Sequence, residues 1–220
     1  MGFHDSSFKM SDANNLVYAK HQDGWEGFAK SCIDRTAAAA GLLLLSPVLL
    51  GCALAVRLDS KGPILFLQPR HGEKGEIFNI YKFRTMKVME TGADFVQARK
   101  NDQRVTRIGK FLRRTSLDEL PQLINVLTGE MSLVGPRPHP IKLNEQFETR
   151  IHNYRQRHAV KPGLTGLAQI RGFRGPTETT RQMSLRVESD LEYIRSWSLW
   201  LDLRILIATP IQLLLGRNAY

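Results

Sequence analysis

The sequence predicts a mostly helical α/β fold with a membrane-embedded N-terminal helix, short strands and interfacial amphipathic helices. Three observations carry this. Thr36 to Val56 runs for 21 residues without a charge, bounded by Arg35 and Arg57. Two short stretches, Ile64 to Gln68 and Glu76 to Met86, read as strands, the second with two-residue alternation. Several later stretches, Leu120 to Leu127 among them, place apolar residues at helical spacing. The chain divides into a polar tail (1–24), a membrane element (25–58) and a remaining portion with interfacial helices (59–220).

The 220 residues suffice for one domain with a sizeable core, and 42 % hydrophobic with 24 % charged content is ordinary for a globular chain. The formal charge of +10 suits an anionic partner: nucleic acid, an anionic membrane or phosphorylated substrates. Cys32 and Cys52 on one continuous helix would lie about 30 Å apart, far beyond disulfide reach.

Taken in order, the tail holds Ser6, Ser7, Asn14 and Asn15 and reads as loose, with no signal-peptide pattern. The charge-free run is long enough, at about 31 Å, to cross a bilayer core. Ser46-Pro47 sits at its middle, where proline removes a backbone bond and the serine hydroxyl can satisfy a freed carbonyl. A kinked span and a re-entrant helix both fit, because basic residues flank the run on both sides. In the second strand, alternation puts Lys82 and Arg84 on one face about 7 Å apart, a spacing suited to a pyrophosphate. Arg104 to Arg114 mixes cations with Ile108, Phe111 and Leu112, a basic amphipathic helix that suits a membrane surface. No aromatic-studded basic groove or reader motif accompanies it, so nucleic acid is not expected as a partner.

Ser116 with Glu119 three residues on has capping-box spacing, and Leu120, Leu123, Ile124 and Leu127 give the following helix an apolar face that Gly129 ends. Asp118 and Glu119 then fall in the first turn, where the helix dipole favours ionised carboxylates. Acids there also serve helix stability alone. Pro136 and Pro138 stiffen the chain on both sides of Arg137, which aims a planar donor fork suited to phosphate. Ile141 to His158 reads as helical, and its His152 and His158 share no helix face. Lys161 to Pro176 reads as loop, with Gly172, Arg174 and Gly175 as candidates to line a sugar pocket. Met183 to Trp197 reads as a helix carrying Asp190, and Trp197 to Leu215 as an interfacial segment with Asp202 near its start. Carboxylates, clustered cations and a divalent cation are the equipment of phosphoryl transfer, and the apolar run implies a lipid-borne partner.

Arg113-Arg114-Thr115-Ser116-Leu117-Asp118-Glu119-Leu120-Pro121-Gln122, followed by Gly129 to Pro138, closely resembles the bacterial sugar transferases, the monotopic phosphoglycosyl transferases. The likeness continues through Lys82-Phe83-Arg84-Thr85-Met86, Lys161 to Gly166 and Trp197 to Asp202, over roughly residues 28 to 215. It implies a small monotopic membrane enzyme with a re-entrant helix broken at Ser46-Pro47. It places the enzyme in the bacterial inner (cytoplasmic) membrane, with the catalytic portion on the cytoplasmic face. It implies Asp118 as a nucleophile that attacks the β-phosphate of a UDP-sugar, releases UMP and holds the sugar phosphate as an aspartyl ester. Undecaprenyl phosphate then takes up the sugar phosphate, the priming step of exopolysaccharide synthesis. Glu119 is implied to hold Mg²⁺ with Asp118 or to manage protons. Arg137 is implied to bind the diphosphate, with Lys82, Arg84 and Asp190 as further substrate candidates. Gly135 to His139, Tyr154 to His158 and Gly172 to Gly175 resemble the glucose-1-phosphate branch more than the galactose branch. That branch carries an acid directly after the Arg-Gly pair, whereas here Pro176 and Thr177 precede Glu178.

Overall fold

The computed structural model describes residues 24–87, 102–175, 177 and 179–215. The expected tail before residue 24, and Pro176 and Glu178, lie outside the described residues.

The charge-free run folds as two helices, α1 (Trp25–Leu44) and α2 (Ser46–Asp59), bent by 64° at Leu45. Among the described residues no single helix is long and apolar enough to cross a membrane. Pro47 sits in the first turn of α2, where its missing N–H costs no intrahelical bond. The Ser46 hydroxyl donates to the Leu43 carbonyl at 2.8 Å and satisfies one of the groups that the bend releases. Each helix buries only a narrow stripe: Lys30, Asp34 and Ala38 on α1, Cys52 and Val56 on α2. Leu43, Leu44, Leu50, Leu54 and Leu58 remain exposed. Cys32 and Cys52 are free thiols.

The arm formed by α1 and α2 rests on an antiparallel hairpin, β1 (Leu65–His71) and β2 (Ile77–Phe83), with Leu65 opposite Phe83 and His71 opposite Ile77. Phe78 and Ile80 meet Ala38, Leu123 and Val126, while Phe83 packs with Cys52, Val56 and Leu112 on another side. The strand is shorter than its alternation suggests, and this corrects the expected placement of Arg84. The strand ends at Phe83, the Arg84 N–H makes one last bond across to the Ile64 carbonyl at 2.9 Å, and the buried Arg84 guanidinium donates to the carbonyls of Ser60 and Lys61 at 2.6 and 2.7 Å. It ties off the C-terminal end of α2, where free carbonyls draw a cation.

Helix α3 (Arg107–Thr115) is capped by the Thr106 hydroxyl, which accepts from the Gly109 N–H at 3.0 Å. The expected capping box at Ser116 does not form. Ser116 adopts the left-handed conformation (φ 60°) and ends α3, and Leu117–Glu119 makes a separate 3₁₀ turn. Pro121 has no N–H to give, so an α-helical ladder cannot run through it, and α4 spans only Gln122–Thr128. Gly129 ends α4 at φ 87°, as expected.

The remaining core joins β3 (Ser132–Val134), α5 (Ile141–Glu148), β4 (Gly163–Thr165), the short α6 (Leu167–Ile170), α7 (Thr180–Ser196) and α8 (Leu199–Leu215). The stretch from 161 to 176 is therefore not all loop: β4 pairs in parallel with β3, Val134 opposite Thr165. Likewise Ile141 to His158 is one helix followed by a 3₁₀ segment, Tyr154–Ala159. Met183, Val187, Tyr193, Trp197 and Ile205 fill this core. Asp202 is buried within it, bonded by Lys30 at 2.6 Å, Tyr193 at 2.8 Å and Trp197 at 3.1 Å. This cluster fastens the start of α1 to α7 and α8.

Candidate active site

The Leu117–Glu119 turn presents two adjacent, buried carboxylates with opposite surroundings. Glu119 accepts from Lys82 at 2.9 Å and from both terminal nitrogens of Arg137, one of them at 3.0 Å, and lies 3.6 Å from Arg174. Burial opposes its charge, but Arg137, Lys82 and Arg174 overcome it and hold the carboxyl well below the usual range. Asp118 has no hydrogen bond or ion pair among the described residues. Burial, and then the charge of Glu119, push its carboxyl up to about 6, against the pull of Lys82, Arg113 and Arg137. Two neighbouring acids are thus driven apart, one a fixed anion and the other available for chemistry near neutral pH.

Arg137 is aimed by its backbone. The Pro136 carbonyl accepts from the Gly163 N–H at 2.9 Å, the Arg137 carbonyl from Arg157 at 2.7 Å, and the Pro138 carbonyl from Arg70 at 3.1 Å. The parallel β3–β4 pair brings Gly135 and Gly163 together so closely that a Cβ on Gly163 would lie 2.0 Å from the Gly135 nitrogen. Arg174 closes the other side, donating to the Ser116 hydroxyl at 2.8 Å.

The structure brings Asp118, Glu119, Lys82 and Arg137 together. It leaves Arg84 at the end of α2 and sets Asp190 one layer back. Asp190 accepts from Arg157 at 2.7 and 3.1 Å, and through that guanidinium it supports the Arg137 carbonyl. His139 lies beside the same pair, with Nδ1 2.6 Å from Arg157 and 2.8 Å from the Tyr154 hydroxyl. Burial and the surrounding arginines hold this imidazole well below its usual pKa, so it is neutral at pH 7.

Sequence patterns left Arg70, Arg157 and His139 without roles. Each acts through a partner between 15 and 68 residues away, which no local period can signal. Arg174 did carry a signal, its place in a glycine-rich turn.

Residues 25–216 match the model of a family described as bacterial sugar transferase. The chain belongs to that family. It is 52 % identical over 204 residues to the UDP-glucose:undecaprenyl-phosphate glucose-1-phosphate transferase of Escherichia coli (strain K12), covering 93 % of this chain and 44 % of that one. It is 51 % identical over 191 residues to the protein of the same name from Caulobacter vibrioides, covering 87 % of this chain and 72 % of that one. The Exopolysaccharide production protein PSS of Rhizobium leguminosarum bv. phaseoli is 46 % identical over 186 residues, with 83 % and 93 % covered. The chain spans less than half the length of the Escherichia coli relative.

Chemically, this site offers one open carboxylate beside a group of cations. Its donors also bear on a divalent metal. Among the described residues no three His, Cys, Asp or Glu side chains gather to hold one. Mg²⁺ often takes one or two carboxylates and completes its shell with substrate phosphates and water. Asp118 is open to it, and Glu119 has already committed an acceptor site on each oxygen to Arg137, one of them shared with Lys82. The residues fit a Mg²⁺ carried in on a diphosphate.

Proposed function

We propose that this chain is a phosphoglycosyl transferase that moves glucose-1-phosphate from UDP-glucose to undecaprenyl phosphate, a priming reaction of exopolysaccharide synthesis. The names of its relatives support the substrates, and one observation carries the mechanism. Asp118 is a buried carboxylate with no hydrogen-bond or ion-pair partner among the described residues, beside a Glu119 that three cations hold as an anion. A desolvated, unbonded carboxylate is a competent nucleophile.

An Asp118 oxygen attacks the β-phosphorus of UDP-glucose. The bond from that phosphorus to the bridging oxygen breaks, UMP leaves with the electron pair, and the glucose phosphate stays on Asp118 as an acyl phosphate. A phosphate oxygen of undecaprenyl phosphate then attacks the same phosphorus, the Asp118 carboxylate departs, and undecaprenyl-diphosphate-glucose forms. Arg137 and Lys82 face the diphosphate and offset its charge, and Glu119 keeps both in place. Mg²⁺ held by Asp118 and a free lone pair of Glu119 would add charge neutralisation on the phosphates. Asp190 is a positioning residue that acts through Arg157.

The lipid acceptor requires a membrane. The 64° bend and the exposed leucines on both helices support a re-entrant α1–α2 arm whose two ends share the cytoplasmic face of the inner membrane. Phe111 on basic α3 and Trp200, Leu203 and Ile207 on α8 are exposed as interfacial helices would be.

The test is UMP release from UDP-glucose by detergent-purified protein with Mg²⁺, with and without undecaprenyl phosphate. A single-turnover burst without lipid and sustained release with it are expected. Sustained lipid-dependent release with no burst would exclude the covalent route. Release from UDP-galactose alone would replace the sugar.

A further inference from the structure

A second concave site lies at the other end of α4 from Asp118. It is a cleft of about 160 Å³, room for roughly five water molecules at ~30 Å³ each. Its walls come from the first half of α1, the turn after β1 and the chain just before β4. Three cations line it: Arg35, Lys74 and Lys161. Among the described residues none of them has a hydrogen-bond or ion-pair partner. Lys30 forms part of the lining but is committed to Asp34 and Asp202. Two acids line it as well: Asp34, bonded to Lys30 and Ser132, and Glu73, which has no side-chain partner among the described residues. With Lys30 and Asp34 paired to each other, three cations remain against the single acid Glu73, an excess of positive charge in a concavity that suits an anion.

Two backbone features build the cleft. Lys74 is held in the left-handed region (φ 53°) of the Glu73–Gly75 turn, an uncommon conformation for a lysine. Gly129 leaves room for the Arg35 guanidinium, since a Cβ there would lie 2.5 Å from an Arg35 nitrogen. Lys161 belongs to the Lys161-Pro162-Gly163 stretch, and the transfer reaction above gives its side chain no work.

We propose that this cleft binds the phosphate of an acidic phospholipid headgroup. This rests on the reading of α1–α2 as a membrane arm. Arg35 is the last charge before the apolar run of α1, so the cleft opens at the depth where lipid phosphates lie. The acceptor's phosphate has the same chemistry, but α4 alone puts about 10 Å between this cleft and the Asp118 turn. A phosphate held here does not reach the nucleophile, which assigns the cleft to a resident lipid. Bound there, a phospholipid would fasten the base of α1 against α4 and set the depth of the arm.

The experiment uses the full chain, wild type and the triple variant Arg35→Gln/Lys74→Gln/Lys161→Gln. A charge-matched control carries Lys142→Gln/Arg150→Gln/Arg181→Gln. Binding is read by flotation with phosphatidylcholine vesicles, with and without phosphatidylglycerol, and by counting lipids retained in native mass spectrometry. Wild type and control should prefer phosphatidylglycerol vesicles and retain one phosphatidylglycerol. The triple variant should lose that lipid and at least tenfold of the preference, while still floating with phosphatidylcholine and releasing UMP in detergent at the wild-type rate. Equal losses in the triple variant and the control would overturn the site, because diffuse charge would then account for the effect. Retention of undecaprenyl phosphate in place of phosphatidylglycerol, lost in the triple variant, would overturn the phospholipid as occupant. Failure of the wild type to float with any vesicle would remove the membrane arm, and the proposed site with it. Absent UMP release with intact lipid retention would count against the transferase reading alone.

Discussion

Around Arg137 three successive carbonyls each accept a bond from a separate element, whereas along α2 the side chains of Leu50, Leu54 and Leu58 stand exposed. The active-site loop is over-determined by polar contacts from β4, the 3₁₀ segment and β1. The α1–α2 arm is fixed by a narrow stripe on each helix and by polar bonds at its two ends, Lys30–Asp202 and Ser132–Asp34 on α1 and Ile108–Asp59 with the Arg84 guanidinium at the end of α2, with one side-chain bond at its bend. A group that must meet a phosphorus at bonding distance gains from preorganisation. An arm whose outer face meets only apolar surroundings needs little beyond satisfied backbone bonds. Equal substitutions in the two regions should therefore have unequal effects.

The largest effect is expected at the nucleophile. Asp118→Asn keeps the shape and removes the charge, and UMP release should fall by at least about 10³. Stability should move the other way. The folded state raises the Asp118 pKa to about 6, so the ionised form disfavours folding. That penalty is absent below about pH 4, grows up to about pH 6 and is complete at pH 7. Removing it should stabilise the protein by roughly 1–3 kcal/mol, read as a higher denaturant midpoint at pH 7 that vanishes near pH 4. A variant both inactive and unstable would mean that Asp118 is structural.

Next comes the loop itself. Gly163→Ala would set a methyl 2.0 Å from the Gly135 nitrogen, with backbone on both sides and no flexible side chain to move. More than about 3 kcal/mol of stability should be lost, together with the aim of Arg137. Near-normal melting would show that the β3–β4 contact is looser than drawn.

The pH profile sharpens the contrast between the two acids. Asp118 must be ionised to attack, so kcat/KM should rise about tenfold per pH unit below pH 6 and level off above it. Arg113 lowers the Asp118 pKa, so Arg113→Gln should move this limb to higher pH. A limb unmoved by Arg113→Gln and present in Asp118→Asn would belong to another group.

The legibility of the sequence follows the same division. The arm was readable because its signal is local: a charge-free run with Ser46-Pro47 at its middle gives the bend one residue earlier, at Leu45. Gly129 as a helix stop, the strands β1 and β2 and the α7 helix were equally local, whereas the pairing of the two strands was not read. The misreadings occurred where tertiary contacts compete with local rules. Ser116 has capping-box spacing, but Pro121 interrupts the ladder and leaves the acids in their own 3₁₀ turn. Arg84 alternates with Lys82, but the strand stops at Phe83 and the free carbonyls at the end of α2 claim the guanidinium. Asp190, expected as a substrate candidate on its helix, is the buried partner of Arg157, 33 residues away.

The smallest effect should come from the same change, glycine to alanine, made on the arm. Gly51 lies within α2, and a Cβ there would meet nothing within 4 Å. With space open and a helical backbone, only propensity remains, and alanine is favoured over glycine by about 0.5–1 kcal/mol. Gly51→Ala should therefore raise stability slightly and leave UMP release unchanged, both measured in detergent. The opposite signs expected at Gly163 and Gly51 test the comparison directly. If Gly51→Ala instead destabilised the protein or slowed transfer in bilayers but not in detergent, the outer face of α2 would be packed against something of defined shape. The arm would then be a second precise surface rather than an apolar support.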